Sequence, residues 1–505
     1  GDADDDGRVF ETDVRDPAVA DFLGKQVHIA TEHFGVLDPV DLDQAVELGA
    51  FAALRGVLEQ SDPEAAIEEV RASGLRGRGG GGFPTAKKWA LARAAEGEAK
   101  TLVMNGDEGD PGAFMDRMIL ESYPYRVLEG MAIAAFAAGA TEGIAYVREE
   151  YPLAVGRFTA AIETARERGY LGEGVAGSDF SFDVRIVKGA GAFVCGEETA
   201  LIASLEGRRG MPVLRPPYPV EKGLHGNPTL VNNVETLAVL PWIFRHGAAA
   251  FAALGTKRSR GTKVFSLAGK VRRGGLIEVP MGITIREIVE EIGGGVPEGE
   301  FKAVQVGGPS GGCIPAALSD TPVDYEALIE RGAMMGSGGL VVLDDRDCMV
   351  DIARYFLRFT QNESCGRCTF CRVGTRQMLD ILDRISMGKG KAKDLDDLEV
   401  LAKATRDGSI CGLGRTAPNP VLTTLRYFRE EYEAHLEGRC PAGRCLDLIT
   451  YRVTDACTGC TICAQRCPAD AIPFTPYQKH EIDTEACTAC DICRGACPED
   501  AIEVS

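Results

Sequence analysis

The segments Ala456–Cys463 (ACTGCTIC) and Ala486–Cys493 (ACTACDIC) are two copies of one cysteine pattern close to the end of the chain. Each copy continues, after three further residues, with Cys-Pro, so that the pattern Cys-x2-Cys-x2-Cys-x3-Cys-Pro occurs twice. In this pattern three closely spaced thiolates bind one [4Fe-4S] cluster and the fourth binds the neighbouring cluster. The spacing therefore predicts two clusters, bound by Cys457, Cys460, Cys463 and Cys497, and by Cys487, Cys490, Cys493 and Cys467.

The doubled pattern resembles the bacterial-type two-cluster ferredoxins. The resemblance implies a small C-terminal domain that conducts electrons and leaves the chemistry to another part of the chain. Structural zinc is the alternative, but zinc does not need eight cysteines in a doubled run with proline after each fourth one.

Composition narrows the possible functions. A formal charge of −20 disfavours binding to nucleic acid and to anionic membrane surfaces. The longest apolar stretch, near residues 131–140, is too short to insert into a membrane, and the acidic start at 1–6 has no signal-peptide character. Of 17 cysteines none precedes Cys195 and fifteen follow Asp347, which is typical of metal ligation in a reducing compartment. We therefore expect a cytoplasmic protein.

The chain is long enough for several domains. Residues 1–60 predict an N-terminal extension, which is either a docking arm or a disordered segment. From residue 61 to 248, a helix at 63–74 is followed by strands near 101–104, 144–147 and 182–187 that alternate with helices. This order predicts a Rossmann-like α/β domain with a parallel sheet.

The sequence after residue 248 predicts an α+β architecture. Two strands, a helix and a strand within 249–335 fit a β-grasp, or ubiquitin-like, domain. The pattern at 336–434 indicates a helical bundle interrupted by cysteines. A linker at 435–450 then leads into the ferredoxin domain at 451–505.

A glycine-rich loop, RGRGGGGFPT at 76–85, contains Gly-x-Gly-x-x-Gly but follows a helix. The standard dinucleotide fingerprint requires a preceding strand, so that fold is disfavoured. Backbone N–H groups beside Arg78 and Lys88 remain suited to phosphate. Glycine-rich loops are also common as simple turns.

Two further loops follow strands. Residues 105–112 (NGDEGDPG) place an amide and three carboxylates where open α/β sheets bind ligands, and residues 187–198 repeat the order of strand, glycine turn and helix. A calcium site is the alternative for these acidic residues. The cysteine-rich electron path favours a redox cofactor.

Five motifs in order, RGRGGGGFPT, NGDEGDPGAF, GAGAFVCGEETALIASLEG, VNNVET and ESCGRCTFCR, resemble the NADH-oxidising flavoprotein subunit of respiratory complex I. The resemblance covers about 62–436. With the appended ferredoxin module the chain is more similar to the beta subunit of electron-bifurcating [FeFe]-hydrogenases and NAD-dependent formate dehydrogenases.

The resemblance implies a set of residues that bind FMN: Gly77, Arg78, Gly79, Gly80, Lys88, Asn105, Asp107, Glu108, Gly196, Glu197, Glu198, Asn232, Asn233 and Thr236. It places NAD(H) or NADP(H) near Phe83, Asp110, Arg215 and Tyr218, and Phe193 is counted with the cofactor-binding residues. No protein acid or base is obligatory, since hydride passes directly to the flavin, although Glu108 and Glu198 lie nearby. Asp110 is shorter than the glutamate usual in complex I, which leaves the preference for NAD or NADP open.

A third [4Fe-4S] site is predicted where Cys365, Cys368 and Cys371 are followed by Cys411, and the family assigns these four residues that role. Phe370 stands where proline is usual and Val373 where glutamate is usual. Neither departure removes a ligand.

A second metal site is suggested by His435, Cys440 and Cys445, which with Cys348 make a Cys3His set. Tetrahedral structural zinc prefers such ligands, and related hydrogenase subunits suggest zinc here. Unligated cysteines and another iron–sulfur cluster are the alternatives. Cys195 and Cys313 are expected to be core residues, and the histidines other than His435 are expected at the surface or at helix caps: His28, His33, His225, His246 and His480.

These features predict an NAD(P)H-oxidising flavoprotein subunit that couples two-electron chemistry on FMN to three [4Fe-4S] clusters, with ferredoxin coupled at the same flavin. The expected partners are a small [2Fe-2S] thioredoxin-like subunit, a large iron–sulfur catalytic subunit and ferredoxin. Thioredoxin-like cluster domains occur at the N-terminus of many relatives, but no cysteine precedes Cys195 here, so that domain is expected to be lost or to lie on another chain. A non-bifurcating diaphorase is the alternative, and an electron-carrier or scaffold without flavin is an alternative of another class.

Overall fold

The N-terminal part of the described chain is helical and packs onto the rest of the molecule. The structure, a computed structural model, describes residues 15–504; the acidic start and the rest of the first fourteen residues lie outside that range. Within the expected extension, three helices are present: α1 (Pro17–Gly24), α2 (Leu42–Glu47) and α3 (Ala52–Gln60). Ile29 and Ala30, between the first two helices, are fully buried, so this segment is docked rather than free.

The predicted α/β domain contains a four-stranded sheet in the order β3-β2-β1-β4, with all strands parallel. Its helix α7 is buried along almost its whole length and packs against α10, which explains the apolar run in the sequence. The elements are α4 (Pro63–Ser73), α5 (Thr85–Ala94), β1 (Thr101–Gly106), α6 (Met115–Ser122), α7 (Pro124–Ala138), β2 (Glu142–Arg148), α8 (Pro152–Glu167), β3 (Asp183–Gly189), α9 (Glu198–Leu205), β4 (Thr229–Asn233), α10 (Val234–His246) and α11 (Ala248–Ala252).

Local chemistry explains where these elements begin. The carboxylate of Asp62 accepts hydrogen bonds from the N–H groups of Glu64 and Ala65, and Pro63 occupies the first position of α4, so the helix starts there. The strand β4 was not anticipated from the sequence. Because all four strands are parallel, the carboxyl ends of β1 and β4 lie side by side and bring the loops that follow them together.

The β-grasp domain contains a five-stranded sheet in the order β6-β5-β9-β7-β8. Its elements are β5 (Thr262–Gly269), β6 (Gly275–Pro280), a π-helix (Glu287–Ile292), β7 (Phe301–Val306), β8 (Gly312–Pro315), α12 (Tyr325–Glu330) and β9 (Gly339–Asp344). The central strand β9 pairs with both β5 and β7 and lies beyond the boundary at residue 335 expected from the sequence. Because this late strand completes the sheet, the domain continues to the end of β9.

The helical bundle and the ferredoxin domain share one apolar core. The bundle consists of α13 (Met349–Asn362), α14 (Thr369–Ser386), α15 (Ala392–Gly408), α16 (Gly412–Thr416), α17 (Asn419–Tyr427) and α18 (Arg429–Leu436). The ferredoxin domain pairs β10 (Tyr451–Val453) antiparallel with β11 (Ile502–Val504) and packs α19 (Ile462–Arg466) against α20 (Ile492–Ala496). Within residues 15–504 no helix is both long and apolar enough to cross a bilayer.

Candidate flavin and iron–sulfur sites

The glycine-rich loop at 76–85 is folded tightly against β4 and the β-grasp domain. A Cβ on Gly79 would lie 3.0 Å from the Cβ of Asn233, and one on Gly80 would lie 3.1 Å from the backbone of Gly336. Gly80 also has φ of +112°, which L side chains rarely adopt. No side chain other than hydrogen fits at these two positions without displacement, so the loop needs glycine there.

The side chain of Arg78 does not face the open side of this loop. It is fully buried, and its guanidinium donates to the carbonyl oxygens of Arg76 (3.2 Å) and Arg260 (2.6 Å). Its backbone N–H donates to the hydroxyl of Thr236 at 2.8 Å. The guanidinium therefore ties the loop to the segment before β5, while its buried Nε has no partner within residues 15–504, and a role of Arg78 beside a phosphate stays a prediction.

The loop after β1 is tied to the loop after β3. Asn105 donates from its Nδ2 to the carbonyl oxygen of Gly196 (2.8 Å), and its Oδ1 accepts from the N–H of Asp107 (3.1 Å). Arg148 lies 3.2 Å from the carboxylate of Asp107. Burial raises the pKa of Asp107 to about 7, although Arg148 opposes this shift. Two loops predicted separately thus form one edge of the site.

Glu108 and Asp110 are held by groups outside their own loop. Glu108 accepts hydrogen bonds from the N–H groups of Asp116 and Arg117 at 3.1 Å each, at the start of α6, and burial raises its pKa to about 7. Asp110 accepts from the hydroxyl of Ser337 at 2.8 Å, and burial raises its pKa to about 6. The segment that leads into β9 therefore supplies part of the environment of these carboxyl groups.

Lys88 and Arg215 converge on Glu198. The carboxylate of Glu198 lies 2.8 Å from Lys88 and 2.7 Å from Arg215. Burial alone would raise the pKa of Glu198, but the two cations outweigh burial and hold the pKa below its usual value. The rings of Phe83 (47%) and Tyr218 (49%) are exposed, and the guanidinium of Arg215 lies 6.0 Å from the Tyr218 ring. Arg215 and Tyr218 therefore form a charged and aromatic surface next to Glu198.

The turn before α9 connects the α/β domain to the bundle. The backbone N–H of Phe193 donates to the carboxylate of Glu363 at 3.1 Å, and its ring meets Phe359 edge-on at 5.3 Å between centroids. Glu197 caps α9 by accepting from the N–H of Ala200 (3.1 Å). Glu197 therefore has a structural role at the helix start as well as a position beside Glu198.

The asparagine pair ends β4 and starts α10. Asn232 accepts a hydrogen bond from the indole N–H of Trp89 at 3.0 Å, in a buried position. Asn233 donates from its Nδ2 to Asp116 (2.6 Å), while its Oδ1 caps α10 by accepting from the N–H of Thr236 (3.3 Å). Trp89 and Asp116 orient the amides and were not anticipated, because no sequence spacing links them to the pair.

Two buried polar atoms in these loops are available to a ligand. Within residues 15–504 the buried Oγ1 of Thr85 and Oδ2 of Asp107 have no hydrogen-bond partner in the protein. The hydroxyl and phosphate groups of FMN would offer partners to such unpaired buried atoms.

The four bundle cysteines expected to bind a cluster line one cavity: Cys365, Cys368, Cys371 and Cys411. Val194 of the turn before α9 lines the same cavity. Burial raises the pKa of Cys371 to about 11, and the Ser364 hydroxyl lies 3.2 Å from its sulfur. The unusual residues Phe370 and Val373 are exposed on α14.

The eight ferredoxin-domain cysteines line two cavities with the membership predicted from the doubled pattern. One cavity contains Cys457, Cys460, Cys463 and Cys497, and the other contains Cys467, Cys487, Cys490 and Cys493. His480 lines the first cavity and is only 1% exposed. The expectation that this histidine lies at the surface is wrong, because the segment between the two repeats folds back over the cluster site.

The Cys3His set is assembled although Cys348 is distant in sequence. The ligand atoms of Cys348, His435, Cys440 and Cys445 all lie within 4.8 Å of one another, and all four residues are buried. The Nε2 of His435 lies 3.3 Å from the sulfurs of both Cys348 and Cys445. Its Nδ1 donates to the carbonyl oxygen of Glu431 at 2.6 Å, and a bond of this kind orients the ring of a metal-binding histidine.

Comparison with known proteins agrees with this arrangement. Family models match in chain order: the Nuo51 FMN-binding domain (residues 70–242), the SLBB domain (264–313), the NADH-ubiquinone oxidoreductase-F iron-sulfur binding region (351–435) and a 4Fe-4S dicluster domain (449–504). The NADP-reducing hydrogenase subunit HndC of Solidesulfovibrio fructosivorans is 51% identical over 90% of this chain and 93% of its own length. The chain belongs to the Nuo51 FMN-binding family.

Other members of the Nuo51 family are similar over a shorter range. A subunit of the NADH-quinone oxidoreductase of Rhizobium meliloti (strain 1021) is 46% identical over 78% of this chain and 94% of its own length. The solved NAD+-reducing [NiFe]-hydrogenase in the H2-reduced state matches with a TM-score of 0.68 and 42% identity, over 74% of this chain and 63% of that chain. This chain therefore spans less than two thirds of that solved chain.

Membership of the Nuo51 family confirms the predicted resemblance, the multidomain fold class and the class of enzyme. The chain is an FMN and iron–sulfur oxidoreductase subunit of the NADH dehydrogenase module type, with a C-terminal ferredoxin-like domain. Cys195 and Cys313 are buried core residues, as expected.

Proposed function

We propose that this subunit exchanges hydride between NAD(H) or NADP(H) and FMN and passes single electrons into three [4Fe-4S] clusters, with ferredoxin coupled at the same flavin. The observation that carries the proposal is the direct contact between the flavin loops and the bundle cavity. Val194 lines that cavity, while Asn105 bonds Gly196 two residues later in the same turn. An electron leaving the flavin site would meet the bundle cluster first.

FMN, when bound, supplies the conversion between a two-electron hydride donor and one-electron carriers. The protein provides position and charge. Backbone N–H groups of the glycine-rich loop would hold the phosphate, and the Asn232 and Asn233 amides would bond the ring and ribityl group. Lys88 would place positive charge beside the FMN and Arg215 beside the nucleotide, with Glu198 between the two cations, and Phe83 and Tyr218 offer faces for adenine.

We propose that the Cys3His set binds one zinc ion. A tetrahedral zinc with Zn–S of about 2.3 Å and Zn–N of about 2.0 Å places its ligand atoms about 3.5–3.8 Å apart. The observed separations are 3.3 Å between His435 and each of two sulfurs, and 3.8 Å between the sulfurs of Cys348 and Cys445. Ligand atoms this close suit a single ion better than a four-iron cluster. Zinc would then join the bundle to the ferredoxin domain.

Metal analysis tests the zinc assignment. Cys440→Ser should lower zinc to well below one atom per chain while the iron content of the bundle site is retained. Cys313→Ser, at a buried cysteine whose thiol bonds Gln305, is the matched control and should retain zinc. Zinc-free wild-type protein, or iron in this site, would refute the assignment.

The proposed partners are a small [2Fe-2S] thioredoxin-like subunit, a large iron–sulfur catalytic subunit and ferredoxin. The names of the relatives support assembly into larger enzymes, since they are subunits of a hydrogenase and of NADH-quinone oxidoreductases. The quinone-linked relatives also favour the second candidate, a diaphorase that transfers electrons without bifurcation.

The decisive experiment is an anaerobic assay of the purified complex with NADH, NADPH and a two-[4Fe-4S] ferredoxin, each alone and in combination. If the catalytic partner subunit reduces its own electron acceptor only when reduced ferredoxin and nucleotide are both present, ferredoxin and nucleotide are coupled at the flavin. If NADH alone supports the full rate and ferredoxin changes nothing, the enzyme is a plain diaphorase. The nucleotide with the higher kcat/KM decides between NAD and NADP.

A further inference from the structure

His480 lies inside the ferredoxin domain beside one of the two cluster cavities. Its Nδ1 is 3.6 Å from the sulfur of Cys457, a distance at which an N–H group bonds to sulfur. The ring is only 1% exposed. A cysteine that ligates iron is a thiolate and has no proton to donate. The bond therefore requires a proton on Nδ1, and His480 is the donor.

The other ring nitrogen is not bonded to the protein within the described residues. Within residues 15–504, Nε2 of His480 is buried and has no hydrogen-bond partner in the protein. A buried polar atom left unpaired is costly, and its retention calls for an explanation. His480 lines the first cavity, so its ring borders the cluster site, where Nδ1 contacts Cys457.

The second cavity has no counterpart of this histidine among the residues that line it. Two residues further along the same segment, the side chain that lines the second cavity is Ile482. One backbone donor is equivalent in the two cavities: the Ala501 N–H bonds Cys497 in the first, and the Ala471 N–H bonds Cys467 in the second, each at 3.3 Å. A further backbone bond, from Ala489 to Cys487, belongs to the second cavity.

We infer that His480 is a positioning residue that raises the reduction potential of the cluster bound by Cys457, Cys460, Cys463 and Cys497, through an N–H···S bond to Cys457. Hydrogen bonds to cluster sulfurs are among the factors that set these potentials. A donor stabilises the reduced cluster more than the oxidised one, because reduction adds negative charge to the sulfurs. This side chain would help to distinguish the two clusters, whose ligand pattern is identical.

The consequence is a local control on electron flow through the ferredoxin domain. A cluster with a higher reduction potential retains an electron longer. Its potential also sets the free energy with which the domain passes that electron to a partner. This inference rests on the proposed function only in requiring that the domain hold two [4Fe-4S] clusters.

The test is an EPR-monitored redox titration of the full-length protein in its complex. His480→Leu removes the donor and should lower the midpoint of one ferredoxin-domain cluster, leaving the bundle cluster and the other ferredoxin cluster unchanged. His480→Gln keeps an amide donor and should restore part of the shift. Ile482→Val is the matched control in the second cavity and should leave the Cys457-bound cluster unchanged.

A second measurement has its main readout in the wild-type protein. Protein labelled with 15N only in histidine side chains should show a 15N coupling to one reduced cluster by HYSCORE spectroscopy, and the coupling should be absent in His480→Gln. Unchanged midpoints in a fully loaded His480→Leu protein, or no coupling in the wild type, would overturn the inference. Fewer than two clusters in the domain, from iron and sulfide analysis, would instead overturn the proposed function.

Discussion

At the scale of single residues, the glycine-rich loop makes a sharp prediction because two of its glycines differ in their surroundings. Gly79→Ala would place a methyl group 3.0 Å from the Asn233 Cβ, whereas Gly81→Ala would meet no protein atom within 4 Å. We expect Gly79→Ala to displace the asparagine and lower flavin retention several-fold. Flavin released on denaturation, measured per chain, tests this. Equal retention in both variants would show that the contact does not shape the site.

We expect the carboxyl group of Asp107 to make the stability of the protein depend on pH. Its pKa is raised by burial to about 7 in the folded protein, against about 3.9 in an unfolded chain. The folded state therefore retains a proton that the unfolded state loses, so this group's contribution to stability is greatest at low pH and is lost as pH rises toward 7. Asparagine does not ionise, so Asp107→Asn does not lose this stability as pH rises.

The measurement is the unfolding temperature of flavin-free protein between pH 5.5 and pH 8. Relative to the wild type, Asp107→Asn should become progressively more stable as pH rises. Asp107→Asn also loses the contact with Arg148, which shifts the unfolding temperature at every pH. The quantity to compare is therefore the change with pH of the difference in unfolding temperature between variant and wild type. A difference that stays constant, or that falls with pH, would contradict the assignment.

At the scale of elements, a buried carboxylate makes several of the contacts that hold the N-terminal segment. Glu278 on β6 accepts hydrogen bonds from the backbone N–H groups of Ile29, Ala30 and Thr31 at 2.9–3.0 Å, and from the Thr31 hydroxyl at 2.7 Å. A charged acceptor with several donors is stronger than neutral bonds. This contact explains why the segment docks rather than remaining disordered.

Glu278→Gln replaces one accepting oxygen with an amide that cannot accept these bonds. The local cost is about 2 kcal/mol, which corresponds to roughly thirty-fold faster opening. Hydrogen exchange of the peptide spanning 25–35 should therefore accelerate by about that factor. Glu291→Gln, at an exposed residue that pairs with Lys25, is the control and should leave the exchange nearly unchanged.

Much of the element pattern was predictable because local signals and tertiary packing agree. The helix at Pro63 carries its cap and proline in sequence, and the apolar run before Ala138 is the buried helix α7. The docked segment was ambiguous, since the carboxylate that holds it lies about 250 positions away, at Glu278. The strand β9 was missed for the same reason: its partners are distant in sequence.

The candidate site was predictable to a similar degree. Cysteine spacing specifies ligand sets because the motif itself encodes which thiolates share a cavity. The side chains that hold the site residues in place belong to no sequence motif. Arg148 pairs with Asp107 from another strand, and Ser337 hydrogen-bonds to Asp110 from another domain. The inward direction of the Arg78 guanidinium also depends on a distant carbonyl, that of Arg260.

At the scale of the whole molecule, the order of the redox sites follows from the packing of the domains. The bundle cavity shares Val194 with the flavin domain, and the bundle shares its apolar core with the ferredoxin domain. The bundle cluster would therefore lie between the flavin and the two C-terminal clusters.

This order predicts the effect of removing one ligand of the bundle cluster. In Cys368→Ser, nucleotide should still bleach the flavin absorbance, while reduction of the ferredoxin-domain clusters should slow by at least ten-fold. Stopped-flow spectroscopy combined with freeze-quench EPR separates the two steps, and Cys313→Ser serves as the control. Unchanged reduction of the ferredoxin-domain clusters would mean that electrons bypass the bundle.

We propose that one chain joins an FMN site to three [4Fe-4S] clusters. The most direct test is flavin, iron and sulfide analysis of anaerobically purified protein, followed by reduction with NADH or NADPH monitored by EPR. We predict one FMN and about twelve iron atoms per chain, from three clusters of four iron atoms each, with cluster signals that appear only after nucleotide is added. Protein that contains the iron but no flavin, or whose clusters are not reduced by either nucleotide, would contradict the account.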